Sequence, residues 1–301
     1  MDRTAHLRTE IPRHAVGSRT THNVGNWCLT SVQGQGLWAR VFRARPRDLP
    51  TDHPADYAIK IVDDQVRHQL RAVQLLRREA AVARTVSHPH LIAMLAADID
   101  NDPPYLVMPL LEGVTVAEAL ASTGPLAPPH ALWITRQVAE ALRSLHQAGW
   151  LHADVKPSNI YVSPEGHATL FDLGFALRLN SRDCSPGCEI RGTPAYTAPE
   201  MYSSSVHVDQ RCDIYSLGVS LYEMLTGETP FQCENPERMA KAHIERPAPN
   251  PRRRLPGLCT RITKLLQSML AKEPLRRPTA DELVTRLTEL EIATLVERIA
   301  G

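Results

Sequence analysis

The chain has 301 residues, 43% of them hydrophobic and 22% charged, with a formal net charge of +1. That is enough material for one large two-lobed domain or two small ones. A charge so close to zero sets up no field to draw in nucleic acid or an anionic membrane, so neither is an expected partner. Six cysteines (Cys28, Cys184, Cys188, Cys212, Cys233 and Cys259) are scattered without a paired framework, which fits reduced thiols in a cytosol. Cys184 and Cys188 share a Ser/Pro/Gly-rich loop, but no second Cys/His pair stands at zinc-site spacing beside them. No run approaches the ~20 apolar residues that cross a bilayer, and MDRTAHLRTEIPRH lacks the apolar core of a secretory signal. A cytoplasmic protein is expected.

Residues 1–25 are polar and aperiodic and read as a flexible extension. From Trp27 to Leu111 the chain is strand-rich: LTSVQ, ARVFRA, DYAIKIV and PYLVMPL are short β-prone runs divided by turns or loops. PRDLPTDHPAD, before Lys60, reads as an exposed loop. VRHQLRAVQLLRREAAVARTV reads as a helix with Leu70, Val73, Leu76 and Ala80 on its apolar side.

After Gly113 the character turns helical. PHALWITRQVAEALRSLH keeps Leu132, Ile134, Val138, Leu142 and Leu145 near one face. DIYSLGVSLYEMLTG is apolar nearly all round, the mark of a helix at the centre of a domain. Helices near 257–271 and 279–290 close the chain, and the arginines of ERPAPNPRRRLP read as a solvated face. The order is a small β-rich lobe, a connection near Leu110–Gly113, and a larger helical lobe, an α+β architecture whose cleft is a natural ligand site.

The chemistry concentrates in LHADVKPSNIYV and ATLFDLGFA. Phosphoryl transfer needs a carboxylate near the attacking hydroxyl, oxygen ligands for Mg²⁺, and cations on the phosphates. Asp154 and Asn159 lie in one loop with Lys156 between them, and Asp172 follows a hydrophobic strand. Asp and Asn capping turns would explain any one of these residues but not the ordered set.

The run from His152 to Asn159 resembles the catalytic loop of protein kinases, and Asp172-Leu173-Gly174 resembles their metal-binding motif. Tyr57-Ala58-Ile59-Lys60 is similar to the strand whose lysine holds the α- and β-phosphates, with Glu79 on the following helix as its partner. Gly34-Gln35-Gly36-Leu37-Trp38-Ala39-Arg40-Val41 resembles the glycine-rich phosphate loop, with Ala39 in place of the third glycine. Met108-Pro109-Leu110-Leu111 resembles the hinge, with Met108 as gatekeeper and the Leu111 backbone as an adenine contact. Tyr161 stands where the family usually has an aliphatic residue beneath adenine, and a tyrosine ring can stack on a base. The segment Gly192 to Glu200 resembles the substrate-positioning loop, with Arg277 as partner of Glu200 and Asp213 tying the catalytic loop to the buried helix.

The resemblance covers roughly residues 27 to 290 and implies a two-lobed protein-kinase fold. It implies an N-lobe over 26–111, a C-lobe over 112–291 and a tail over 292–301. By the same resemblance Asp154, Lys156, Lys60 and Glu79 are catalytic, and Asn159 and Asp172 hold metal. Gly34, Gly36, Val41, Ala58, Lys60, Met108, Leu111 and Tyr161 bind nucleotide. The implied cofactors are ATP and Mg²⁺, with Mn²⁺ as an alternative, and the implied partner is a protein with a Ser or Thr acceptor. Lys156 and Thr193 favour Ser/Thr over Tyr, and the compact form has the style of the bacterial branch. A small-molecule phosphotransferase is disfavoured by Lys156, Thr193, Ala198-Pro199-Glu200 and Arg277, and an inactive scaffold by the full catalytic set. Ala153 replaces the arginine that grips an activation-segment phosphate in many relatives, which predicts activity without that phosphate.

Overall fold

A computed structural model of the chain describes residues 22–63, 69–181, 184, 192–203 and 207–299. Strands β1 (His22–Val24), β2 (Trp27–Gln35), β3 (Ala39–Pro46) and β4 (Tyr57–Val62) run in chain order across one antiparallel sheet. Helix α1 (Leu70–Ala83) follows, then β5 (Ala96–Asp98) and β6 (Tyr105–Pro109), and β6 inserts beside β4 to give the order β1-β2-β3-β4-β6-β5.

Side chains alternate faces along a strand. Ile59 and Ile61 of β4 therefore join Tyr105 and Val107 of β6 in one apolar cluster with Leu29 and Ala44. Their neighbours Val62 and Leu106 face the other way and receive Ala72, Leu76 and Ala80 of α1. The buried side of α1 thus includes Ala72 and Glu79, whereas Leu70, expected on the apolar side, is exposed. The helix turns the face that carries Glu79 inward, and Leu70 lies off that face.

The larger lobe begins with β7 (Val114–Thr115) and α2 (Val116–Thr123), whose first turn is closed by a reciprocal capping box between Thr115 and Glu118. In α3 (Pro128–Gln147) all five apolar residues expected on one face are buried. Next come β8 (Trp150–Leu151), β9 (Ile160–Val162), β10 (Ala168–Leu170) and β11 (Leu177–Arg178). They form a three-stranded sheet β10-β9-β7 and a pair β11-β8. Helices α4 (Arg211–Thr226), α5 (Pro236–Glu245), α6 (Thr260–Met269) and α7 (Ala280–Ile299) complete the lobe.

Helix α4 is buried on nearly every side, as its composition predicts. Gly218 lets α6 approach it, since a Cβ there would lie 2.9 Å from Cβ of Met269. One core cluster runs from Ala58 and Met108 of the sheet through α3 and α4 to Leu287 of α7.

The ends differ from the expected boundaries. Strand β1 pairs with β2 through His22↔Leu29, within the stretch read as a flexible extension. Helix α7 crosses residue 291 without a break, and Glu291 is fixed by Arg136 at 2.9 Å. Arg254 of the basic run bonds Glu228 at 2.6 Å on the surface.

Glu200 and Arg277 are joined by two bonds of 2.6 and 2.7 Å, with side chains 2% and 0% exposed. Arg277 also donates to the carbonyls of Ala271, Lys272 and Arg211. Removing one partner of a buried pair strands the other charge, so Arg277→Met should cost about 3–5 kcal/mol. Adding Glu200→Gln should recover part of that loss. Denaturant unfolding of the three proteins measures this, and a loss below about 1 kcal/mol for the single variant would contradict it.

Candidate active site

Gly34 lies near the end of β2 opposite Val41, and Gly36 lies in the turn to β3, its amide donating to the Ala39 carbonyl at 2.9 Å. Trp38 packs with Val62, Ala72 and Leu76, and the Arg71 guanidinium lies 5.7 Å from its ring centre. The turn is therefore anchored to α1 through an aromatic side chain. Register across the sheet sets Val41 opposite Lys60 and Ala58 opposite Met108. These residues share the cleft side of β3, β4 and β6.

Lys60 is the meeting point of the two lobes. Its Nζ is 2.7 Å from Glu79 Oε2 and 2.7 Å from Asp172 Oδ1. Burial opposes its charge, but the carboxylates of Asp172 and Glu79 outweigh burial and hold the ammonium well above its ordinary pKa. For Asp172 burial pushes the carboxyl up, yet the charge and hydrogen bond of Lys60 prevail and it stays low. For Glu79 burial prevails over Lys60 and the carboxyl is pushed up, with the Asp172 charge adding to it. One cation shared by two carboxylates makes the trio a single titrating unit. About a third of the Asp172 side chain opens on the cleft.

The catalytic loop is laced from below. Asp213, in the first turn of α4 and wholly buried, accepts the amides of His152 and Ala153 at 2.9 and 2.8 Å. His152 accepts the Asp154 amide at Nδ1, so its Nε2–H is the donor toward the Phe171 carbonyl at 3.1 Å. His152 thereby joins the loop to the segment that carries Asp172.

Asp154 is 3% exposed and fully engaged. Its Oδ1 accepts the Thr193 amide and hydroxyl, each at 2.9 Å. Its Oδ2 meets Lys156 Nζ at 2.7 Å and Asn159 Nδ2 at 3.0 Å. Lys156 also donates to the Thr193 hydroxyl at 2.6 Å. Asn159 commits its amide nitrogen to Asp154, which leaves its oxygen as the acceptor. That oxygen and the Asp172 carboxylate are hard donors of the type a divalent metal takes alongside phosphates, so the residues present fit such an ion.

Met108 is buried in the core, and the Leu110 amide is bonded to the Asp56 carbonyl at 3.0 Å. Tyr161 lies on β9, and its hydroxyl reaches the carbonyls of Gly113 at 2.7 Å and Leu111 at 3.2 Å. Tyr161 is therefore a strap between the hinge and the larger lobe. Gly113 makes the approach feasible, since at φ 137 a Cβ would collide with the Val162 carbonyl. Phe171 meets the Tyr161 ring edge-on at 6.4 Å.

The profile of the protein kinase domain matches residues 29–287. The chain belongs to the protein kinase domain family. It is 31% identical over 264 residues to a serine/threonine-protein kinase named as probable in Clostridium perfringens, covering 87% of this chain and 38% of that protein. It is 30% identical over 260 residues to PrkC of Bacillus subtilis, covering 86% and 39%. It is 34% identical over 252 residues to PknB of Mycolicibacterium smegmatis, covering 82% and 40%. The chain thus spans about two fifths of the length of these relatives. The family uses ATP and a divalent metal, and the two lobes described above are its fold.

The structure brings Lys60, Glu79 and Asp172 together in one cluster and Asp154, Lys156, Asn159 and Thr193 in another. Sequence reasoning did not assign Phe171 or the His152 ring to the site, although each sits inside a quoted motif. It also treated Cys184 as a loop residue, whereas Cys184 is 3% exposed and packed in the main core. Cys188 falls outside the described residues. Removing the Tyr161 hydroxyl deletes one neutral hydrogen bond worth about 0.5–1.5 kcal/mol. Tyr161→Phe should lose about that much in urea unfolding, and an unchanged midpoint would show that the hydroxyl does not strap the hinge to the larger lobe.

Proposed function

We propose that this domain is a Ser/Thr protein kinase that transfers the γ-phosphoryl group of ATP-Mg²⁺ to a protein hydroxyl. The observation that carries the reading is the Thr193 hydroxyl, held between the carboxylate of Asp154 and the ammonium of Lys156. An aliphatic alcohol already sits in the environment that an attacking serine or threonine needs.

Phosphoryl transfer requires positioning and electrostatic stabilisation more than covalent help from the protein. The acceptor oxygen forms its bond to the γ-phosphorus as the bond to the bridging oxygen of ADP breaks. Asp154 orients the hydroxyl and accepts its proton. Lys156 offsets charge on the transferring group, and Lys60, fixed by Glu79, holds the α- and β-phosphates. Asp172 and the oxygen of Asn159 would hold the metal, which supplies charge neutralisation on the phosphates. Their hard oxygen donors suit Mg²⁺, and Mn²⁺ as an alternative. The same reading places the domain in the cytoplasm, where ATP is abundant and thiols such as Cys28 and Cys212 stay reduced.

Incubation with labelled ATP and Mg²⁺, followed by mass-spectrometric mapping, tests the reading. Phosphoserine or phosphothreonine should form on the protein or on added acceptors, and Asp172→Ala should lower the rate by on the order of 10² to 10³. Phosphate confined to tyrosine, or none at all, overturns it. Asp154→Asn should lower kcat far more than it changes the KM for ATP, because the carboxylate acts on the acceptor in the transition state. A variant with normal kcat and a raised KM for ATP would place Asp154 on the nucleotide.

The structure also bears on regulation. Ala153 offers no cation, and Arg178 is engaged with the Ala148 carbonyl at 3.0 Å and the Trp150 ring at 5.1 Å. Cys184 is buried in the core, and the Val208 amide donates to its carbonyl at 3.3 Å, a neutral contact. Phosphatase-treated and autophosphorylated enzyme should therefore phosphorylate an added acceptor at initial rates within tenfold. A larger fall after dephosphorylation, more than about 1.4 kcal/mol in barrier, contradicts this.

A further inference from the structure

The substrate-positioning loop, Thr193–Ala198, is held at one end by Asp154 and is followed by Glu200, bound to Arg277. Between them, α4 contributes the Ser216 hydroxyl to the Tyr196 carbonyl at 2.8 Å and Glu223 to the Tyr196 hydroxyl at 2.6 Å. Other contacts come from outside α4: the Tyr202 hydroxyl donates to the carbonyl of Pro194 at 3.2 Å. His243 of α5 lies 3.0 Å through Nε2 from the carbonyl of Ala195.

Helix α5 is mostly polar and solvent-facing, and only Ala242 and His243 are buried. His243 has no exposed surface. A carbonyl can only accept, so Nε2 carries the hydrogen and the other nitrogen, Nδ1, accepts from the Tyr215 hydroxyl 2.9 Å away. Burial first, then the nearby Lys272 charge, lowers the His243 pKa to about 4, which keeps this neutral tautomer in place at physiological pH.

The imidazole is itself supported on its other sides. Phe231 packs edge-on at 5.0 Å, and Lys272 donates to the carbonyl of His243 while lying 4.7 Å from the Phe231 ring centre. Tyr215 lies 4.8 Å beneath the Arg277 guanidinium that forks Glu200. The hydrogen-bond chain Tyr215, His243, Ala195 therefore links the middle of the loop to α4, α5 and the turn before α7.

We propose that His243 is a positioning residue for acceptor binding: its Nε2–H fixes the Ala195 carbonyl and thereby the register of the loop that receives the protein substrate. This rests on the protein kinase reading, and the experiment separates the two. His243→Phe keeps a planar ring in the space but has neither hydrogen bond, and His243→Gln restores a donor that can reach the carbonyl. Tyr215→Phe removes only the hydroxyl that orients the imidazole.

Dephosphorylated casein serves as the acceptor, and ATP hydrolysis without acceptor reports the catalytic machinery alone. In His243→Phe the KM for casein should rise tenfold or more, while the KM for ATP and the hydrolysis rate stay within twofold. His243→Gln should recover most of the loss, and Tyr215→Phe should show a smaller change of the same sign. Hydrogen exchange at the Tyr196 and Thr197 amides, which close the turn onto Thr193 and Pro194, supplies a readout independent of activity. Those amides should exchange faster in His243→Phe and Tyr215→Phe and regain protection in His243→Gln. Unchanged casein KM, unchanged exchange, or a parallel fall in casein transfer and ATP hydrolysis overturns the proposal. Wild-type enzyme inactive toward both casein and water, with the exchange pattern as expected, would instead overturn the kinase reading and leave the loop contact standing.

Discussion

Asp213 is a carboxylate with no exposed surface at the centre of the larger lobe, and the geometry of the site depends on it. Burial raises its pKa, but the His146 ring and the loop amides more than compensate, so the carboxyl is held low and remains ionised. Its place in the first turn of α4 adds the favourable end of the helix dipole. What that charge secures is a backbone arrangement the chain would otherwise avoid. Ala153 sits at φ 62, a conformation that costs a non-glycine residue on the order of 1–3 kcal/mol. Two charge-assisted hydrogen bonds to adjacent amides offset that strain. With His152 and Ala153 fixed, the chain passes Asp154 up to Thr193 and Asn159 down beneath it.

The second constraint is the link between lobes. Lys60 comes from the sheet, Glu79 from α1 and Asp172 from the larger lobe, so the trio can form only when three elements are in register. A parallel bridge of Leu91 to Leu170 and the Tyr161 strap at the hinge join the same two bodies. The trio has one positive and two negative charges, and its open edge is at Asp172. An open carboxylate beside a committed ammonium favours further positive charge at that edge, the requirement of a metal-dependent phosphoryl transfer.

Much of this was legible because the decisive residues are close in sequence or follow strict periods. Asp154, Lys156 and Asn159 fall within six residues of one another, and the apolar stripe of α3 repeats at the helical period from Leu132 to Leu145. Helix α5 escaped notice because it buries only Ala242 and His243, too few to make a stripe. On α1, Leu76 and Ala80 are buried as expected and only Leu70 was misplaced, since it stands at the first residue of the helix and off the face that carries Glu79 to Lys60. The Tyr161 bond to Gly113 and the His243 bond to Ala195 each span 48 residues. Such contacts depend on how elements dock, and a single sequence has no period that encodes docking.

The hydrogen bonds around Asp154 connect these constraints to catalysis. Thr193 donates both its amide and its hydroxyl to the carboxylate oxygen on the acceptor side. In the proposed reaction, an incoming serine or threonine hydroxyl that replaces the Thr193 hydroxyl exchanges one alcohol bond for another of the same kind. Such an exchange has little net free energy of its own, since each bond is worth only about 0.5–1.5 kcal/mol and one is lost as one forms. The balance then falls to whatever fixes Thr193. Its amide remains bound to Asp154, and the loop behind it is anchored through Ala195 to His243 and, past Ala198, through Glu200 to Arg277. A loop held rigidly keeps the Thr193 oxygen within reach of Lys156 while its hydrogen is released, so the ammonium stays oriented as the acceptor arrives. A loose loop would let Thr193 compete for Asp154 in many positions and blur the geometry that phosphoryl transfer demands. The supports behind Ala195 and Glu200 therefore bear on the proposed reaction through the loop that carries Thr193.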